Sequence, residues 1–135
     1  MKKLLVLILL VSSIKIFSQE AIPPKQENVN TDENIYEKVD NQPEYPGGIN
    51  AFRSNFTKTF DASKINAIGI IKSEAQFVIS KEGMITDIKI SGDNKSMNKE
   101  MERAIKAMSK IRWKPAEIKG YPVKYKFKLP ITMNL

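Results

Sequence analysis

Apolar residues recur at intervals of three and four between residues 49 and 60. They follow Tyr45-Pro46-Gly47-Gly48, and the series comprises Ile49, Phe52, Phe56 and either Thr59 or Phe60. Such spacing is typical of a short amphipathic helix, and the proline and glycines mark its start. We expect the aromatic side of this helix to pack in the core rather than to form a ligand site.

Residues 70 to 80 alternate with a period of two. One side holds Ile71, Ser73, Ala75, Phe77 and Ile79, and the other holds Lys72, Glu74, Gln76, Val78 and Ser80. This alternation predicts a β-strand. Lys81-Glu82-Gly83 predicts a tight turn, because glycine can take a positive φ, and Met84 to Ile90 resumes the alternation. The two strands are expected to form a hairpin.

A second helical pattern follows the break at residues 91–94. Its apolar side comprises Met97, Met101, Ala104, Ile105 and Met108, and Ser96 is a candidate N-cap. Three methionines on one side are compatible with a metal site or a promiscuous binding groove. At helical spacing in a small domain, core packing is the favoured interpretation.

Residues 121–131 alternate again and predict a third strand. The apolar positions are Tyr121, Val123, Tyr125, Phe127 and Leu129, and Lys124, Lys126 and Lys128 lie between them. Lysines commonly protect an exposed sheet edge from indiscriminate pairing, and Pro130 limits the length of a ladder. The predicted fold is α+β, with two helices packed on one face of a three-stranded antiparallel sheet.

The N-terminus has the pattern of a secretory signal. A basic start, Met1-Lys2-Lys3, precedes the apolar run Leu4 to Val11, and Ile16-Phe17-Ser18 ends in a small residue. We predict a signal peptide over residues 1–18 and export to the periplasm. A retained inner-membrane anchor is the alternative, since the third residue before the cut is Ile16 rather than a small one. Residues 19–40 are expected to be a flexible acidic leader, and residues 41–135 one folded domain.

Charge is distributed unevenly along the chain. Residues 19–44 contain seven acidic and two basic residues, whereas residues 45–135 contain seventeen basic and eight acidic ones. A basic domain attracts acidic protein segments, anionic lipid or nucleic acid. An exported protein rarely meets nucleic acid, so we predict no nucleic-acid partner. A solvated lysine-rich face explains the charge equally well.

Cysteine and histidine are absent from the sequence. Their absence excludes cysteine nucleophiles, Ser-His-Asp triads and the ordinary zinc sites. An envelope hydrolase would need paired carboxylates, but no spacing pairs Glu74, Glu82, Asp87 and Glu100 convincingly. We therefore predict no catalytic residue, no metal site and no cofactor, and a protein that is not an enzyme.

Five short motifs together resemble the C-terminal domain of TonB, over about residues 38 to 132. In chain order they are Gln42-Pro43-Glu44-Tyr45-Pro46-Gly47-Gly48, Phe77-Val78-Ile79 with Lys81-Glu82-Gly83, Trp113-Lys114-Pro115, Gly120-Tyr121-Pro122-Val123, and Phe127-Lys128-Leu129-Pro130-Ile131. Each motif alone is weak, but their order and spacing make the resemblance specific.

The resemblance implies a protein-binding function in transmembrane transport. TonB-like domains engage TonB-dependent outer-membrane transporters, whose extended N-terminal segment adds a strand to the sheet edge. The residues that the resemblance assigns to partner binding are Gln42, Pro43, Tyr45, Pro46, Arg112, Val123, Lys124, Tyr125, Lys126, Phe127, Lys128 and Leu129. Trp113, Pro115 and Gly120 are expected to have structural roles instead.

Two versions of this function remain open at the level of sequence. In the first, the mature domain is a periplasmic partner of transporters without a membrane tether. In the second, the N-terminal eighteen residues stay attached and the protein is a short membrane-tethered energy transducer. Exposed sheet edges can also pair with themselves, so a homodimer is compatible with either version.

Overall fold

Two helices and five strands make up residues 34–135, the part of the chain that the computed structural model describes. The helices are α1 (Ile49–Thr59) and α2 (Lys95–Met108), and a 3-10 helix spans Ala62–Lys64. The strands are β1 (Ile35–Tyr36), β2 (Ile70–Ile79), β3 (Ile85–Gly92), β4 (Ala116–Ile118) and β5 (Tyr121–Asn134). The predicted signal peptide and leader residues 19–33 lie outside the described residues.

The sheet is five-stranded and mixed, so the predicted three-stranded antiparallel sheet is wrong. Its order is β1-β5-β2-β3, with β4 paired to β5. The three strands predicted from alternation are β2, β3 and β5, and they pair antiparallel, whereas β1 runs parallel to β5. Strands of two and three residues, such as β1 and β4, are too short to show a period of two. The α+β class itself is confirmed.

The core lies between the helices and one face of the sheet. Phe52 and Phe56 of α1 are buried, and Ala75, Phe77 and Ile79 of β2 face them. The side of α2 predicted to be apolar is buried throughout: Met97, Met101, Ala104 and Ile105 are 0% exposed and Met108 is 3% exposed. Burial of each large side chain contributes about 1.5–3 kcal/mol. The interpretation of the methionines as core residues is confirmed.

Trp113 lies at the centre of an aromatic cluster in this core. Its ring centroid is 5.2 Å from that of Tyr45, 5.1 Å from that of Phe52 and 5.4 Å from that of Phe127. Aromatic pairs at such distances contribute about 0.5–1.5 kcal/mol beyond their burial. The structural role predicted for Trp113 is therefore confirmed.

The start of α2 differs from the sequence prediction. Asn94 is the N-cap, because its side-chain oxygen accepts a hydrogen bond from the Met97 N–H at 2.8 Å. Ser96, the predicted cap, instead donates its hydroxyl to the same Asn94 oxygen at 2.7 Å. Asparagine and serine cap helices about equally well, so residue type alone gives no reason to prefer Ser96 over Asn94.

A β-bulge interrupts the predicted alternation in β3. The register with β2 shifts between Gln76 and Val78, and Asp87 has a φ of 50°. Positive φ is uncommon for residues other than glycine, although asparagine and aspartate adopt it more often than most. A bulge bends its strand and increases its twist. Alternation predicted from Met84 to Ile90 therefore does not hold across Asp87.

A short hairpin turn connects β4 and β5. Its two central residues, Lys119 and Gly120, have φ of 51° and 80°, the signs that a type I′ turn requires. The Lys119 N–H donates to the Asp40 carboxylate at 2.7 Å. This contact fixes the segment that precedes the domain against the turn.

Candidate partner-binding edge

β5 has one side that is paired along most of its length and one that is not. Tyr125 to Asn134 pair with β2 on one side. On the other side β1 pairs with Lys124 and Tyr125. The short strand β4 pairs with Tyr121 to Val123, before the pairing with β2 begins. Among the described residues, no strand pairs with β5 beyond Tyr125 on the side away from β2. We call this unpaired side of residues 126–129 the open edge.

Side chains of the open edge alternate between the core and the opposite face of the sheet. Phe127 packs against the core and Leu129 belongs to it, being 9% exposed. Lys126 and Lys128, at the positions between, point to the face away from the helices. The predicted alternation holds from Lys126 to Leu129, whereas Tyr121, predicted on the apolar side, is 71% exposed. A strand added at the open edge would meet two ammonium groups.

Pro130 indicates which N–H groups of β5 point to the open edge. It lies opposite Glu74 in the ladder with β2, and the register of that ladder has no shift. Proline has no N–H to give, so it is tolerated in a ladder where the N–H would point away from the neighbouring strand. In an antiparallel ladder this direction alternates from one residue to the next. We therefore infer that the N–H groups of Lys126 and Lys128 also point away from β2, toward the open edge.

Both lysines of the open edge contact an acidic residue of the leader. The Glu37 carboxylate lies 3.4 Å from the Lys126 ammonium and 3.5 Å from the Lys128 ammonium. Hydrogen bonding to Lys126, with the charge of Lys128, lowers the pKa of the Glu37 carboxyl below its ordinary value of 4.5. The open edge therefore stabilises a carboxylate beside it.

The opposite edge of the sheet, formed by β3, is less suited to receive a strand. It carries the bulge at Asp87, and α2 packs against it. Bulges twist an edge strand and are one of the devices that prevent pairing. A regular partner strand is therefore better accommodated at β5 than at β3.

The predicted partner-binding residues fall into separate places in the structure. Lys126 to Leu129 form the open edge, whereas Lys124 and Tyr125 pair with β1 and Val123 pairs with β4. Val123 is also completely buried. The structure thus makes the second half of the predicted strand accessible to a partner and the first half occupied.

The predicted contact segment before α1 is divided in a similar way. Gln42 and Pro46 are exposed and Pro43 is half-buried. Tyr45 is 3% exposed, and its hydroxyl accepts a hydrogen bond from the Asn55 amide at 2.7 Å. Its ring anchors the segment in the aromatic cluster.

Arg112 lies apart from the strands. It is exposed and adjoins the turn between β2 and β3, where its side chain approaches Gly83. The structure therefore gives no direct link between Arg112 and the open edge.

The sequence pattern predicted neither the strand β1 nor the contact of Glu37 with the two lysines. The signal was small: Ile35-Tyr36 is a pair of large apolar residues in a mostly polar leader, followed directly by an acidic residue. Two residues do not establish a period, and the pairing with β5 joins positions almost ninety residues apart. Only the folded chain brings Glu37 beside the lysines.

Residues 34–135 contain neither a candidate metal site nor a candidate membrane-spanning helix. No group of three or more Asp, Glu, His or Cys in this range is arranged to hold a metal ion. In the same range, no helix is both long enough and apolar enough to cross a membrane.

No family model matches the chain, and no curated protein or solved structure matches it either. The motifs of the chain and the geometry of its sheet are therefore the basis for its proposed function.

Proposed function

We propose that this protein is a periplasmic, TonB-like partner-binding domain that supports transmembrane transport. In this proposal the open edge receives an extended N-terminal segment of a TonB-dependent outer-membrane transporter as an added strand. The observation that carries the proposal is the unpaired stretch Lys126–Leu129, in the middle of the sheet's longest strand. The resemblance of the five motifs to TonB C-terminal domains supplies the class of partner.

Strand addition fits the chemistry of this edge. Main-chain hydrogen bonds give affinity that depends little on the partner's sequence, and side chains at alternate positions give selectivity. The two lysines add a preference for acidic segments, which affects the rate of association and the specificity more than the total affinity. Because β5 is already paired with β2, it loses little conformational entropy when a partner strand binds.

Removal of one backbone donor tests the proposal. Lys128→Pro removes an N–H that we infer to point to the open edge, while Lys128→Ala removes the same side chain and keeps the N–H. The probe is a panel of synthetic peptides from the N-terminal segments of outer-membrane transporters, titrated against the full chain by calorimetry. We expect Lys128→Pro to bind the best peptide about two- to tenfold more weakly than Lys128→Ala, the loss of one hydrogen bond.

Thermal unfolding checks that both variants are folded. We expect Lys128→Pro to fold, because the strand already contains a proline two residues further on, Pro130, whose backbone has the same orientation. Equal affinity of the two variants, both folded, would show that peptides do not add to this edge. Amide chemical shifts that change in β3 rather than in β5 would also contradict the proposal.

A further inference from the structure

The chain already adds a strand of its own next to the open edge. Ile35 pairs with Lys124 and Tyr36 with Tyr125, both in parallel orientation. The next residue, Glu37, places its carboxylate between Lys126 and Lys128. Residues 35–37 therefore use both interactions that we assign to a transporter segment, main-chain pairing and a carboxylate on the two lysines.

This internal strand is held weakly. It is two residues long, Ile35 is 45% exposed, and the Glu37 side chain is 54% exposed. Exposed ion pairs of this kind contribute little because solvent screens them and long side chains lose entropy. Short peripheral strands open locally far more often than the core unfolds. β1 can therefore leave β5 without disturbing the helices or the aromatic cluster.

The space beside β1 is short. The pairing with β1 ends at Tyr125, and Pro130 has no N–H. Between these two residues, Lys126–Leu129 can form hydrogen bonds with an added strand. Release of β1 would extend this stretch by two residues, to Lys124. Strands in globular proteins are most often five or six residues long, so the longer stretch matches a normal strand and the shorter one does not.

We propose that residues 35–37 act as an internal competitor, so that a partner strand must displace β1 and replace the Glu37 carboxylate with an acidic residue of its own. This inference rests on the proposed function. It adds the chemistry of the partner, an extended segment with an acidic residue facing Lys126 and Lys128. It also adds a regulatory step, because only segments that bind better than β1 are retained.

Glu37→Gln tests the competition, with Glu44→Gln as its matched control. Both changes remove one negative charge from the same segment. Glu44, however, pairs through its main chain with Lys114, away from the two lysines. Calorimetry would measure the affinity of the full-length chains for the acidic transporter peptide that binds best, and for the same peptide with its acidic side chains converted to amides.

We expect Glu37→Gln to bind the acidic peptide about two- to fivefold more tightly than the original chain, and Glu37→Lys to bind it more tightly still. Glu44→Gln should bind as the original chain does. The gain should persist with the amide peptide, because displacing β1 breaks the Glu37 contact whatever side chain takes its place, but the amide peptide should bind every chain more weakly than the acidic one. A gain that vanished with the amide peptide would indicate repulsion by a Glu37 that stays in place and would overturn the inference.

The possible failures are distinct. Peptides that bind none of the chains would overturn the proposed function and this inference together. Peptides that bind the original chain, Glu37→Gln and Glu44→Gln equally well would overturn the inference alone. An equal gain in Glu37→Gln and Glu44→Gln would also overturn it, because net charge would then explain the effect.

Discussion

Gly83 shows how one residue joins two parts of the chain that are distant in sequence. Its φ is +83°, and a Cβ at this position would lie 1.8 Å from the carbonyl oxygen of Trp113. The Gly83 carbonyl accepts a hydrogen bond from the Trp113 N–H at 2.8 Å. The turn of the hairpin therefore fixes the residue that centres the aromatic cluster.

Gly83→Ala should destabilise the protein by about 2–5 kcal/mol. The change combines the cost of a side chain at positive φ with a clash against backbone that must move. Gly120→Ala is the matched control, because Gly120 has a φ of +80° and open space around its Cβ position. It should cost only about 1–2 kcal/mol. Urea unfolding of both variants measures the difference, and equal losses would show that the contact with Trp113 does not matter.

Sequence could predict part of this arrangement at the level of residues. The need for glycine after Lys81-Glu82 follows from the turn, and the structural role of Trp113 follows from its motif. The hydrogen bond between Gly83 and Trp113 does not follow, because it depends on where the chain returns after α2. Tyr45 is a similar case: its position between Glu44 and Pro46 suggests an exposed side chain, yet its ring is buried against Trp113.

At the scale of elements, length decided what the sequence revealed. The helices and the strands β2, β3 and β5 have 8 to 14 residues, enough to display a period of 3.6 or 2. β1 and β4 have two and three residues, and their pairing is determined by the position of β5. The sequence therefore predicted the lysine-bearing strand of the candidate site. It did not predict that β1 pairs with this strand or that residues 126–129 remain unpaired.

Glu100 connects three elements through one buried carboxylate. Its side chain is 3% exposed, accepts from the Asp61 N–H at 2.9 Å and accepts from the Arg103 guanidinium at 2.9 Å. Arg103 in turn donates to the Thr59 carbonyl at 2.7 Å, at the end of α1. The hydrogen bond from Arg103 outweighs burial and lowers the pKa of Glu100 below its ordinary value of 4.5.

Because the folded-state pKa of Glu100 is lowered, its contribution to stability is complete above about pH 4.5 and is lost as the pH falls through the lowered value. Glu100→Gln should therefore cost about 1.5–3 kcal/mol at neutral pH, the range for a hydrogen bond to a charged group. The gap between the two proteins should narrow below pH 4.5. Glu102→Gln, which removes an exposed carboxylate of the same helix, should cost only about 0.3–0.5 kcal/mol. A gap for Glu100→Gln that does not change with pH would contradict this assignment.

At the scale of the whole molecule, an acidic segment precedes a basic domain within one chain. Seven acids and two bases stand in residues 19–44, and the domain that follows carries a large excess of lysine and arginine. The ion pairs of Glu37 with Lys126 and Lys128 are the point where the structure shows these two parts in contact beside the open edge. In the proposed function, partner binding at that edge exchanges one carboxylate for another.

Such an exchange has a characteristic dependence on salt. Salt screens the partner's carboxylate and the Glu37 carboxylate alike, since the screening length falls from about 10 Å at 0.1 M to about 3 Å at 1 M. In the original chain the two effects offset each other, so affinity for an acidic peptide should change little with added salt. In Glu37→Gln only the partner's carboxylate is screened, so its affinity should fall more steeply and approach that of the original chain at high salt. Titrations of both proteins from low to high salt measure the two slopes, and parallel slopes would mean that the partner does not take the place of Glu37.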